Sequence, residues 1–182
     1  MQQTDPLGYR KAAAIEFVNR LNPDLDYGAV VSFDSVINFA TNLTNDFTLL
    51  RTNIQNVDAA GSTNLDRGLG EAVSVLNQSQ LRAAARAIIF LTDGEGTYTE
   101  CRYGGPARIA ADKGYKVYSV GLSRSARSAP LIDMAQCTDA TYTRAVDGVD
   151  LTDVFQDFFG EVLESTAPLN VTRSWCNLAS VW

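Results

Sequence analysis

The chain has 182 residues, 46% of them hydrophobic, which is enough for one domain with a sizeable core and too few for two comfortable ones. With 15 Lys and Arg against 21 Asp and Glu, the net charge of −6 argues against a nucleic-acid groove, which needs a basic patch. There is no histidine, so Ser-His-Asp and Cys-His catalysis and imidazole zinc sites are excluded. No apolar run approaches the roughly 20 residues that span a bilayer, and the opening MQQTDPLGYRK has no secretory apolar region.

Residues 7–21 carry Ala13, Ala14, Phe17, Val18 and Leu21 at helical spacing, and Asn22-Pro23 stops that helix. YGAVVSFDS and VINFATNLT read as two strands of a hairpin broken at Asp34-Ser35. A short helix is expected over 46–56. A Gly-rich loop then leads into an amphipathic helix with Leu69, Ala72, Val73 and Leu76 on one face. RAIIFLTDGEGT contains a continuous apolar strand, of the kind buried on both faces in a parallel sheet. A helix over 107–113 closes at Gly114, and YKVYSVGLS is the next strand. A helix over 130–136, the strand ATYTRA and a closing helix over 151–163 follow, the last with Leu151, Val154, Phe155, Phe158 and Val162 inward. Strands alternating with helices predict an α/β fold with a mostly parallel sheet.

The apolar strand ends on Asp93, followed at once by Gly94. Ligands collect at the carboxyl ends of strands in such sheets, so Asp93 is a candidate binding carboxylate. Asp-Gly is equally ordinary turn chemistry. Thr63, just before a helix, reads on its own as a typical helix-capping residue. Asp93 and Glu95 could be taken as a catalytic carboxylate pair, but two carboxylates in one loop more often form a solvated acidic edge. No nucleophile or oxyanion site lies nearby in the sequence, so a non-enzymatic role is expected.

Three motifs, GSTN at 61–64, FLTDGEG at 90–96 and YKVYSVGL at 115–122, together with the element order, resemble the von Willebrand factor type A domain. The resemblance covers residues 1–163, leaving 164–182 as a tail. It implies a doubly wound, mostly parallel sheet with helices on both faces, and a metal-ion-dependent adhesion site at the top of the sheet. By position, Thr63 and Asp93 match two ligands of a divalent cation, usually Mg²⁺, with Ca²⁺ or Mn²⁺ as substitutes. Gly61, Ser62, Gly94 and Glu95 flank them as expected partner-contacting residues. A hard cation suits oxygen donors, and an open coordination position would let an acidic residue of a protein ligand complete the shell.

The chain departs from the family in having no D-x-S-x-S motif and no apolar strand before the first helix. Cation binding is therefore expected to be weak or absent here and to belong to a longer parent. In the family, the absent strand lies between those at 29–33 and 87–91. Upstream residues of the natural protein, a strand donated by another chain, or the tail LNVTRSWCNLASVW are the candidate fillers, in that order, and the chain alone is expected to be poorly stable or self-associating.

The resemblance implies a protein-binding or adhesion module, secreted or at a cell surface. The alternative is an intracellular docking subunit of an ATPase or chelatase-type assembly. Cys101, Cys137 and Cys176 form no C-x-x-C pair; they read as small buried hydrophobes or, in a secreted protein, as one disulfide plus one thiol. With Cys101 placed at the top edge after the Asp93 strand and Cys137 at the far end of a descending helix, those two are expected not to pair, since a disulfide needs Cα atoms within about 7 Å.

Overall fold

The computed structural model describes residues 8–57, 63–78 and 85–164, and the side chains of 148 and 162–164 fall outside that description, as does nearly all of the expected tail. In chain order the elements are α1 (Tyr9–Arg20), β1 (Val31–Phe33), β2 (Ile37–Ala40), α2 (Phe47–Gln55), α3 (Leu65–Gln78), β3 (Ala87–Thr92), α4 (Pro106–Asp112), β4 (Lys116–Leu122), α5 (Ser128–Cys137), β5 (Tyr142–Ala145) and α6 (Gly148–Glu164). A single 3-10 turn, Cys101–Tyr103, precedes α4.

Local chemistry accounts for the boundaries. α1 stops at Leu21, and the Asp26 carboxylate accepts the Asn22 N–H at 2.8 Å to hold the turn that follows. Asp46 caps α2 by accepting the Leu49 N–H at 3.0 Å. Proline opens α4, where a missing N–H costs nothing, and Gly114 takes the left-handed conformation just past its end.

β3, β4 and β5 form a parallel sheet in that order, while β1 and β2 form an antiparallel pair. Among the described residues no ladder joins β1 to β3. The two pieces nevertheless share their cores. One layer joins α1, α2 and α6 to Val30, Ile89, Leu91, Val120 and Ala145. The opposite layer joins α3, α4 and α5 to Val31, Phe33, Ile88, Phe90 and Val117. Helices therefore cover both faces of a doubly wound α/β arrangement, and among the described residues the sheet is interrupted between β1 and β3.

Directions follow from the side contacts. Lys11 Nζ donates to the Gln55 carbonyl and Arg51 to Asn19 Oδ1, so α1 and α2 run antiparallel. α2 starts next to Thr44, which pairs with Gly28 at the amino end of β1, and climbs towards residue 63. α1 therefore begins at the carboxyl edge of the sheet and descends to the amino edge.

α3 approaches β1 closely at Gly68, where a methyl group would overlap the ring of the fully buried Phe33. Gly70, half-buried on the same helix, meets only Pro106 at 3.8 Å. Gly68→Ala is expected to cost about 1–3 kcal/mol through overpacking, whereas Gly70→Ala should be neutral or stabilise by up to about 1 kcal/mol through helix propensity. Chemical denaturation of the two variants measures both, and equal effects would refute the close packing of Gly68 on Phe33.

Candidate functional site at the carboxyl edge of the sheet

Three segments meet where β1 and β3 end. The Asp34 carbonyl, one residue past β1, accepts the Asn64 N–H at 2.8 Å. The Thr63 carbonyl accepts the Thr97 N–H at 3.2 Å, and the Thr97 carbonyl accepts the Leu65 N–H at 2.9 Å. Gly96 lies so close to the Thr63 backbone that a side chain there would overlap the Thr63 carbonyl. The loop after β3 is thereby strapped to the start of α3, and through Asn64 to the end of β1.

Asp93 stands at the carboxyl end of β3, half-buried. Its Oδ1 accepts the Glu95 N–H at 3.2 Å, and Thr92 Oγ1 accepts the Gly94 N–H at 3.2 Å, so Asp93 both follows the strand end and opens a turn. Gly94 (φ 75°) sits directly beneath the Arg127 carbonyl, and the Arg127 N–H donates to the Asp93 carbonyl at 2.8 Å. Any side chain at Gly94 would collide with that backbone. Gly94 is buried, whereas Glu95 is exposed at the rim. Thr63 is half-buried on the neighbouring loop, and Gly61 and Ser62 lie outside the described residues.

Thr63 and Asp93 thus occupy adjoining loops at one edge and supply a hydroxyl and a carboxylate, the donor types that a hard cation takes. They fall short of an octahedral set. Among the described residues no group of three or more His, Cys, Asp or Glu is placed to hold a metal ion.

Asp34 joins this edge, although the sequence reading took it only as the hairpin break. Its carboxylate accepts the Val36 N–H at 2.8 Å and the Ser35 hydroxyl at 3.3 Å, and the Val36 N–H is the main cause of its lowered pKa. The signal was present in the sequence: Asp34 follows VVSF as Asp93 follows IIFLT, each a polar residue closing an apolar strand. On the flank, a recess of about 320 Å³ is lined by Gly96, Tyr98, Glu100, Ala129, Pro130 and Asp133. There the Tyr98 hydroxyl donates to Asp133 Oδ2 at 2.6 Å, and burial, ahead of that bond, raises the Tyr98 pKa well above its ordinary value.

The expectation that Cys101 and Cys137 stay apart is wrong: they form a disulfide with Cα atoms 5.9 Å apart. The strand directions behind that expectation are right, and the error lies in placing Cys101 at the top edge. After Gly96 the chain runs down the side of α5. Thr99 donates through its N–H and hydroxyl to Asp66, and the Cys101 N–H donates to Asp133, the sixth residue of α5. Part of the return journey is already complete when α4 begins. That is why the seven residues of α4, about 10 Å of helix, suffice beside a six-residue strand of about 20 Å.

The sequence pattern of the von Willebrand factor type A domain family matches residues 3–157. Among solved structures, a von Willebrand factor type A protein from Catenulispora acidiphila is similar with a TM-score of 0.72 at 16% identity, over 86% of this chain and 39% of that one. An aerotolerance-related membrane protein from Bacteroides fragilis is similar with a TM-score of 0.70 at 14% identity, over 86% of this chain and 87% of that one. The minor pilin PilB of Streptococcus sanguinis is similar with a TM-score of 0.67 at 14% identity, over 87% of this chain and 54% of that one. At these identities the likeness concerns the fold. A search of curated proteins returns no match.

The disulfide closes a loop with a sequence separation of 36. Loop-closure entropy gives it about 3–4 kcal/mol, so a Cys101→Ser, Cys137→Ser double variant is expected to lose about that much in chemical denaturation. Peptide mapping without reductant should recover a 101–137 bridge, and its absence would refute the descending path of the loop.

Proposed function

The chain is a member of the von Willebrand factor type A family, and we propose that it is a non-enzymatic protein-binding module, used in adhesion, whose contact face is the carboxyl edge of the sheet. The observation that carries this reading is the convergence of Asp34, Thr63, Asp93 and Glu95 on one pre-strapped edge. Rigid loops at such an edge offer a partner polar groups whose ordering has already been met by the fold. Likeness to a pilin supports the adhesive role. The Cys101–Cys137 disulfide supports an oxidising location, outside the cell or at its surface, over the intracellular docking subunit. Among the described residues no helix is long and apolar enough to cross a membrane.

In this reading Thr63 and Asp93 are two ligands of a Mg²⁺ site, with Ca²⁺ or Mn²⁺ as substitutes, completed by water and by polypeptide outside the described residues. The cation would offer an open position to a carboxylate of the protein ligand. Asp93 contributes charge as well as an oxygen, so it carries more of the affinity than Thr63. Gly61, Ser62 and Glu95 would border the contact, while buried Gly94 acts by letting the loop lie under Arg127.

Photo-crosslinking tests the contact face. A benzoylphenylalanine at Glu95 should capture a protein from a cell-surface extract, while the same group at exposed Asp24, at the amino edge, should not; adducts from Asp24 alone would sink the proposal. Calorimetry of the 182-residue chain should show Mg²⁺ affinity weaker than about 1 mM, since two donors leave most of the shell to water. Sub-millimolar binding abolished by Asp93→Ala would show that these two ligands suffice.

A further inference from the structure

The loop between β4 and α5 carries its charge in the open. Residues 122–128 read LSRSARS, so serine and alanine separate Arg124 from Arg127, and both arginines are exposed. Such small neighbours leave the two guanidinium groups uncovered. A third arginine reaches the same place from the adjacent strand: exposed Arg144, on β5, sets a guanidinium nitrogen 3.5 Å from the Ala126 carbonyl oxygen. Main-chain bonds fix the arrangement. The Ser123 N–H donates to the Ala145 carbonyl at 3.0 Å, tying the loop to β5, and the Arg127 N–H donates to the Asp93 carbonyl at 2.8 Å, tying it to the end of β3.

None of the three is neutralised. Among the described residues no carboxylate forms an ion pair with Arg124, Arg127 or Arg144. Elsewhere on the surface, exposed Arg20, Arg102 and Arg108 are paired with Glu16, Glu100 and Asp112. Carboxylates on the adjoining elements are committed to other bonds. Asp133 receives Tyr98 and Cys101, while Asp147 and Asp150 accept N–H groups around the start of α6. The first turn of α5 carries no acidic residue. On a chain of net charge −6, these arginines make a local reversal of sign.

We propose that Arg124, Arg127 and Arg144 form a docking patch for a short acidic segment, rich in Asp or Glu, of the protein ligand. This deepens the contact-face reading and rests on it, because Arg127 is strapped to Asp93 on the same edge, but it needs no cation. The planar guanidinium fork matches a carboxylate with two parallel bonds, which suits three arginines to an acidic peptide. Because the loop is already held at both ends, docking orders little more than side chains. The flanks limit the size of the occupant: Glu95 stands exposed on the β3 loop, and Asp147 stands exposed beyond the end of β5. A planar anionic membrane or a long sulfated polysaccharide would lie across both carboxylates, whereas a short peptide fits between them.

Fluorescence anisotropy of a labelled hexaglutamate peptide, titrated with the 182-residue chain in EDTA, tests the patch without the cation. Binding is expected at low salt and should vanish as salt rises from about 0.01 M to about 1 M, over which the screening length falls from about 30 Å to about 3 Å. Replacing Arg124, Arg127 and Arg144 together by glutamine should weaken it about tenfold, as three exposed pairs would, and Arg124→Gln alone about twofold. Replacing Arg20, Arg108 and Lys113 by glutamine removes the same charge elsewhere and should change binding by less than about twofold. All six side chains are exposed, so both triple variants should keep the denaturation midpoint of the parent. Equal weakening by the two triple variants, hexaglutamine bound as tightly as hexaglutamate, or no binding at low salt overturns the proposal. Phosphatidylserine vesicles or heparin held more tightly than the peptide through the same arginines assign the patch to another class of partner and likewise overturn it. Failure here with crosslinks at Glu95 intact removes the patch and leaves the contact face, whereas crosslinks from Asp24 alone remove both.

Discussion

Buried backbone N–H and C=O groups must be hydrogen-bonded, and this requirement organises the domain. Because one strand of peptide groups can satisfy two neighbours at once, the middle of a sheet is where a missing ladder has the widest effect. Here the interruption falls between β1 and β3, directly beneath the loops that carry the candidate site. What holds the two halves in register among the described residues is side-chain packing on both faces, together with the bridge from Asp34 through Asn64 to Thr97. Packing is non-directional, so the few directional bonds at the carboxyl edge carry much of the alignment.

The loop after β3 illustrates how that alignment is achieved. Gly94 and Gly96 each bring backbone against backbone, one under Arg127 and the other against Thr63. Carboxylates then fix what the glycines permit. Asp66 takes two donors from Thr99, and Asp133 takes one each from Tyr98 and Cys101. These carboxylates spend their lone pairs inside the fold, which distinguishes them from exposed Glu95 and from Asp34, whose carboxylate bonds within the hairpin, to Ser35, Val36 and Asn38.

Much of this architecture was legible in the chain because it is periodic. Leu69, Ala72, Val73 and Leu76 on α3, and Leu151, Val154, Phe155 and Phe158 on α6, are buried as their spacing predicts. The continuous apolar run of β3 is buried at every position, and the hairpin breaks at Asp34-Ser35 as its polar residues require. What escaped was set by contacts between residues far apart in sequence. Nothing local to Cys101 says that its N–H will bond to Asp133, and without that bond its position beside Cys137 cannot be derived. Asp34 was missed for a different reason: a turn residue and a strand-end ligand look alike in one dimension, and only its bond to Asn64 places it beside the others.

The descending loop also determines how the domain would respond to tension. A partner gripping the edge at Glu95 pulls on a stretch that is covalently anchored to α5 at Cys101, six residues further on. With the bridge intact, the contour that can be drawn out in that direction is limited to about 20 Å of extended chain. Beyond that, load passes through Cys137 into the end of α5 and the Thr138 bonds that tie it to β4. The disulfide therefore acts as a stop that keeps a pulled edge from unzipping into α4.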